Sequence, residues 1–174
     1  MRTLETARLT LEPQLAAHAP AMFVVLGDPA IYTFENAPPP SLDWLRERYT
    51  KLESRCSADG GEQWLNWVLR LRPGGLIGIV QATVGGDGRA FIAYELASAH
   101  WGRGLAREAV AAMIDELDSR YRVHTLVAVF KHANTRSRRL LERLGFTAAP
   151  AGSVAADDGE DSMQRPLGAT VAAR

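Results

Sequence analysis

Across residues 64–130 the hydrophobic period switches from two residues to 3.6 and back, and this commits the chain to a sheet mixing antiparallel and parallel strands. From 64 to 72, Leu65, Trp67, Leu69 and Leu71 alternate with Asn66, Arg70 and Arg72. Runs at 76–84 and 89–96 follow, separated by Pro73-Gly74-Gly75 and Gly85-Gly86-Asp87-Gly88. Alternating runs joined by tight glycine-rich turns predict an antiparallel meander. Beyond it, Leu105, Ala109, Met113, Ile114 and Leu117 fall on one face of a helix over about 104–120. Residues 125–130 are a short β-branched run, read as a buried strand. Strand, helix and strand in that order need a crossover, so 89–96 and 125–130 are expected as parallel neighbours.

The flanks complete the pattern. Arg8-Leu9-Thr10-Leu11-Glu12 alternates as a first strand, and 20–26 starts a short helix with Pro20 in its first turn. Asp28-Pro29 opens another short segment, and Pro38, Pro39 and Pro40 force an extended run. Ser41 caps a helix whose Leu45, Tyr49, Leu52 and Cys56 share a face and which Asp59-Gly60-Gly61 ends. A further helix over 135–144 has Asn134 as its N-cap and Gly145 where a left-handed C-terminal cap belongs. Weak strands are expected near Phe146 and at 162–167, after an acidic, low-complexity loop at 148–161. The order is β-α-α-β-β-β-α-β-α-β-β, an α/β mixed sheet with helices on its faces. It is read as one domain over 1–167 with a short C-terminal tail, 168–174.

Composition narrows the function classes. The chain has 174 residues, 47% of them hydrophobic, enough for one domain with a sizeable core. Twenty basic residues against twenty acidic ones argue against a protein that coats nucleic acid. Cys56 is the single cysteine, so neither a disulfide framework nor a cysteine-based zinc site is expected, and no metal is assigned. No apolar stretch approaches the roughly 18 residues that span a bilayer. The opening Met1-Arg2-Thr3-Leu4-Glu5 turns polar at once, so no signal peptide is read and the cytoplasm is the expected location.

The chemistry concentrates in Tyr94-Glu95-Leu96-Ala97-Ser98-Ala99-His100-Trp101-Gly102-Arg103-Gly104-Leu105-Ala106-Arg107-Glu108. This is a strand, a loop with two glycines, and a helix start. The free N–H groups of a first helical turn and the helix dipole favour an anion, and glycines let it come close. Arg103 and Arg107 add positive charge. No Lys-Ser/Thr follows the glycines and a third glycine is missing, so this is neither a P-loop nor a dinucleotide fingerprint. On these features alone, a plain turn needing glycine for its φ angles is the better explanation of the loop.

Trp101-Gly102-Arg103-Gly104-Leu105-Ala106, with Asn134-Thr135-Arg136-Ser137 and Leu144-Gly145-Phe146 further on, resembles the GCN5-related N-acetyltransferase (GNAT) family. Trp101 stands at the Gln/Arg place of its acetyl-CoA motif, as in the ribosomal-protein N-terminal acetyltransferase-like (RimJ/RimL-type) branch. Glu5-Thr6-Ala7-Arg8-Leu9-Thr10-Leu11 and Asp28-Pro29 are similar to that branch too. The likeness runs from residue 5 to about 167. It implies a bacterial acetyl-CoA-dependent N-acetyltransferase of GNAT fold, whose fourth and fifth strands (89–96 and 125–130) splay apart.

The resemblance also implies roles. The amides of Gly102, Arg103, Gly104, Leu105, Ala106 and Arg107 would grip the pyrophosphate of acetyl-CoA. Tyr94, Glu95 and Leu96 would run beside the pantetheine arm, with the Leu96 amide polarising the thioester carbonyl. Asn134 matches the asparagine that contacts pantetheine, a role compatible with capping. Many members use a tyrosine on the following helix as acid. Leu141 stands there, so Ser137 is the candidate proton donor to the thiolate.

The general base is open between Glu95 and Glu35, since Ala90 and Val129 occupy the places where other members carry glutamate. Glu35, Asn66 and Trp67 are candidate walls of the amine-acceptor pocket, although a tryptophan there is more often a core residue. Arg138 or Arg139 would meet the cofactor's 3′-phosphate, Glu108 would favour its helix dipole, and the acidic loop could attract a cationic acceptor. Homodimers are frequent in the group, so a second copy is an open partner expectation. Two rivals stay open: a catalytically inactive acyl-CoA-binding module, and a ribosome- or RNA-associated adaptor using the arginine-rich helix.

Overall fold

The computed structural model describes residues 1–34 and 36–168. Glu35 and nearly all of the expected tail lie outside the described residues. The strands are β1 (Leu4–Glu5), β2 (Leu9–Pro13), β3 (Glu62–Leu71), β4 (Leu76–Gly85), β5 (Arg89–Leu96), β6 (Thr125–Lys131), β7 (Thr147–Ala148) and β8 (Glu160–Pro166). The α-helices are α1 (Ala19–Val25), α2 (Leu42–Leu52), α3 (Leu105–Arg120) and α4 (Thr135–Arg143). One sheet runs in the order β1-β2-β3-β4-β5-β6-β8-β7. Among the described residues only the β5–β6 pairing is parallel, giving the mixed sheet that the period switch requires.

Strand alternation sorts the side chains between two apolar layers. Leu65, Trp67 and Leu69 of β3 point into the layer shared with Leu105, Met113 and Leu117 of α3. Val68, between them, joins Met22 of α1 and Leu45 and Tyr49 of α2 on the other face. Each fully buried leucine contributes about 1.5–3 kcal/mol of transfer free energy, so the α3 stripe alone holds that helix against the sheet.

Local signals fix the helix ends. Ser41 accepts from the Trp44 amide to start α2, and Asn134 accepts from the Ser137 amide to start α4. Gly145, at φ 81°, closes α4 with a Schellman turn in which the Phe146 amide donates to the Leu141 carbonyl. The second helix is shorter than its periodicity predicts. It stops at Leu52; Arg55 takes φ 62° and its carbonyl accepts from the Trp64 amide. Cys56 is therefore exposed and bridged to Gln63 instead of lying on the helix. The acidic loop also ends earlier than expected, because Glu160 and Asp161 already belong to β8, where they pair with Lys131 and with Arg138. No helix among the described residues is long and apolar enough to cross a membrane.

Candidate active site

β5 and β6 pair only at Arg89–Thr125, Ala90–Leu126 and Phe91–Val127, and then separate. Each diverging end is held by its other neighbour. β6 stays paired with β8 through Lys131. β5 bends onto β4 at Gly78, where a Cβ would lie 2.1 Å from the Glu95 carbonyl oxygen; only glycine allows that approach. The Ala97 amide donates to the Ile77 carbonyl on the β4 side. Backbone direction alternates along a strand, so the Leu96 and Tyr94 amides point into the gap. The Leu96 carbonyl is taken by the Trp101 indole N–H at 2.8 Å.

A cleft of about 560 Å³ opens from this gap, floored by Tyr94, Glu95 and Leu96 and reaching Gly102, Gly104 and Ala106. Gly102 (φ 72°) and Gly104 (φ 75°) are both left-handed, a conformation that L side chains rarely adopt. Gly104 is also the N-cap of α3, where no side chain caps the helix. Helix geometry leaves the amides of its first turn without intrahelical partners, and Leu105, Ala106 and Arg107 of that turn line the cleft. The loop is tied down from the far end of the chain. Arg8 donates to the Arg103 carbonyl at 2.8 Å and pairs with Glu108 at 2.7 Å. Glu108 further accepts from the Thr6 hydroxyl and the Arg8 amide. Burial opposes the ionised form of Glu108, but the Thr6 and Arg8 contacts prevail and hold its carboxyl below the usual range. Glu108 thus anchors the loop stem, beyond any interaction with the dipole.

Across the gap, the Tyr94 hydroxyl reaches Ser137 Oγ at 2.6 Å. Burial pushes the Tyr94 phenol up to about 12, with the Ser137 contact opposing. Ser137 and Asn134 both line the cleft. Of the arginines on α4, Arg136, Arg139 and Arg143 line it, and Arg136 lies 3.8 Å over the Trp101 ring. Arg138 does not: Asp161 holds its guanidinium on the β8 side. Arg107 lines the cleft, while the Arg103 side chain turns toward His100.

Glu95 lies where this cleft meets a second one of about 370 Å³, walled by Gln14, Tyr32, Trp44, Arg48, Tyr49 and Gln81. Asp28 fixes the segment roofing the first cleft, accepting from the Ser98 and Ala30 amides, and those bonds hold its carboxyl below the usual range. Two expected pocket residues sit elsewhere. Trp67 is fully buried on the α3 face, with its indole N–H donating to the Arg2 carbonyl, so it is core. Asn66 shares the face of its register partner Gln81 but lines neither cleft; its carbonyl accepts from the Gln14 amide.

The sequence pattern of the acetyltransferase (GNAT) domain matches residues 8–147. The chain belongs to the acetyltransferase (GNAT) family. This acetyltransferase is 28% identical over 148 residues to the uncharacterized N-acetyltransferase p20 of Bacillus licheniformis, covering 84% of this chain and 83% of that one. It is 33% identical over 109 residues to the probable N-acetyltransferase YjcK of Bacillus subtilis (strain 168), covering 61% and 59%. Its fold is that of RimL, a ribosomal L7/L12 alpha-N-protein acetyltransferase solved in complex with coenzyme A. The TM-score there is 0.80 at 16% identity, over 95% of this chain and 98% of that one. By family it is an N-acetyltransferase enzyme.

Three parts of the acetyltransferase site had no linear signal. The Arg8–Glu108 anchor joins residues 100 positions apart. The Tyr94–Ser137 contact depends on how the strands splay. The second cleft gathers Tyr49 of α2, Gln81 of β4 and Gln14 from the loop after β2, which no single spacing connects.

Proposed function

We propose that the enzyme transfers an acetyl group from acetyl-CoA to a primary amine by direct attack, with the two substrates entering from opposite clefts. The carrying observation is the first cleft itself. It joins an uncapped helix N-terminus beside two left-handed glycines to an unpaired strand edge at Leu96. The first-turn amides from Leu105 to Arg107 and the Gly102–Gly104 loop would take the pyrophosphate, with Arg107 and Arg139 adding charge. Acetyl-CoA supplies an activated thioester carbonyl. The Leu96 amide, aimed into the gap, would donate to that oxygen as it gains charge.

Most amines are protonated near neutral pH, so attack needs a base. Glu95, at the junction of the clefts, is positioned to take that proton directly or through water. The amine nitrogen bonds to the carbonyl carbon, the carbon–sulfur bond breaks, and the thiolate takes a proton through the Ser137 hydroxyl, which regains one from solvent by way of the hydrogen-bonded Tyr94 hydroxyl. Asn134 orients the Ser137 backbone and reaches the same cleft, in keeping with a pantetheine contact.

A thiol-release assay against a panel of peptide N-termini, amino acids, polyamines and aminoglycosides tests this reading. Acetyl-CoA-dependent release with at least one class, lost in Glu95→Gln, is expected. Tight coenzyme A binding without release for any amine would contradict it.

A further inference from the structure

Beyond Phe91 the gap-side edge of β5 has lost its strand partner, yet the Leu96 carbonyl on that edge is not left open. The Trp101 indole N–H donates to it at 2.8 Å, a bond of the kind a neighbouring strand would supply. An indole nitrogen only donates, so it occupies the carbonyl and leaves the Leu96 amide on the same edge free for a ligand. On the other side of that peptide, the Ala97 amide donates to the Ile77 carbonyl at 2.9 Å. The peptide after Leu96 is therefore held from both sides.

Trp101 is itself braced from across the cleft. It is half-buried against the α3 layer, and the Arg136 guanidinium lies 3.8 Å from its ring centroid. The other cation–ring pairs among the described residues stand at 5.6 to 5.9 Å, near the roughly 6 Å limit of such attraction. Arg136 immediately precedes Ser137, whose Oγ meets the Tyr94 hydroxyl. Two neighbouring residues of the first turn of α4 thus brace Tyr94 and Leu96 on one edge of β5.

Resting on the acetyl-transfer reading above, we propose that Arg136 and Trp101 are positioning residues for the transfer step, the stacked pair fixing the Leu96 amide relative to Ser137. The amide that would meet the thioester oxygen and the hydroxyl that would serve its sulfur are then spaced by one strut. Arginine suits this place because its planar guanidinium lies flat on an indole, whereas a lysine ammonium is only a point charge. A stacked guanidinium keeps its in-plane donors free, so contact with a cofactor phosphate is the rival role.

The test compares the full chain with Arg136→Ala, Arg136→Lys and Trp101→Phe at a saturating amine from the panel above and varied acetyl-CoA. Arg136 is exposed, so its two variants should melt as the wild type does. Losing an oxyanion donor outright costs about 100–1,000-fold in rate, so a donor that is present but loosened should cost about tenfold in kcat. All three variants should show that loss with the KM for acetyl-CoA within twofold, and lysine should not rescue alanine. A raised KM at wild-type kcat, restored in Arg136→Lys, makes Arg136 a phosphate ligand and overturns the proposal; so does an unmoved kcat in Arg136→Ala. If the wild type turns over no amine, the transfer reading fails and proton exchange decides the strut separately. The Trp101 indole N–H, assigned by its absence in Trp101→Phe, should exchange at least tenfold faster in Arg136→Ala than in the wild type, both loaded with coenzyme A. Equal exchange overturns the strut.

Discussion

The Tyr94 hydroxyl and Ser137 Oγ lie 2.6 Å apart, joining β5 to α4 across the mouth of the gap between β5 and β6 with one hydrogen bond. The phenol comes from the strand, while Leu141 on the helix is fully buried in the core. If Ser137 protonates the thiolate, Tyr94 is placed to polarise it. Ser137→Ala should then lower kcat by about a hundredfold, the low end of the range for a lost general acid. Tyr94→Phe should lower it by about tenfold, and the double variant should be no worse than Ser137→Ala, because the two act as a unit. Steady-state kinetics with saturating acetyl-CoA measures this, and an unaltered kcat in Ser137→Ala would remove it from the mechanism.

The glycine loop is tested by size and by conformation. A Cβ at Gly102 would meet nothing within 4 Å, so Gly102→Ala is limited by its φ of 72°. It should cost about 1–2 kcal/mol in a melting experiment, the penalty of a left-handed L residue. Gly104→Glu adds a negative charge at the start of α3, beside the loop where the anion is proposed to sit, at a φ of 75°. Calorimetry should then detect no coenzyme A binding to a protein that still melts cooperatively.

Glu108 carries a pH signature. Its carboxyl lies below the ordinary 4.5 in the folded chain, with burial opposing and the Thr6 and Arg8 bonds prevailing. A depressed carboxyl stabilises the fold above its unfolded value, and that contribution is lost as pH falls through the folded value. The wild type should exceed Glu108→Gln by about 1–3 kcal/mol at pH 7, the worth of hydrogen bonds to a charged group. That difference should shrink steadily below pH 4.5 in urea titrations, and a pH-independent difference would show that charge is not involved.

The arginines of α4 separate by partner. Arg139 and Arg143 line the first cleft, whereas Arg138 is held by Asp161. Arg139→Ala should raise the KM for acetyl-CoA about threefold to tenfold at low salt, with less effect at high salt because exposed charges are screened. Arg138→Ala should leave that KM within twofold and slightly lower the melting temperature. The reverse pattern would return Arg138 to the cofactor.

Much of the fold was legible because the meander, the crossover helix and both α4 caps are written as local patterns, from Leu65 to Gly145. The glycine loop was legible for the same reason: Gly102 and Gly104 sit immediately before an uncapped helix. Periodicity overran α2, since Cys56 keeps the apolar spacing while Arg55 leaves the helix by its own φ. Trp67 was ambiguous because an alternating strand names two faces without saying which one is covered. The Arg8–Glu108 anchor, the Arg138–Asp161 pair and the Tyr49–Gln14 wall depend on contacts between elements distant in sequence, which no spacing rule encodes.

The amides at the start of α3 are proposed to hold a diphosphate. The most direct measurement is a titration of isotopically labelled protein with coenzyme A, followed through backbone amide resonances; at 19.0 kDa the chain is within easy reach. The largest shifts should fall on Gly102, Gly104, Leu105, Ala106 and Arg107, with Leu96 following, and dephosphorylated pantetheine should move Leu96 but not the loop. Saturable coenzyme A binding that leaves the Gly102–Arg107 amides unmoved would contradict it.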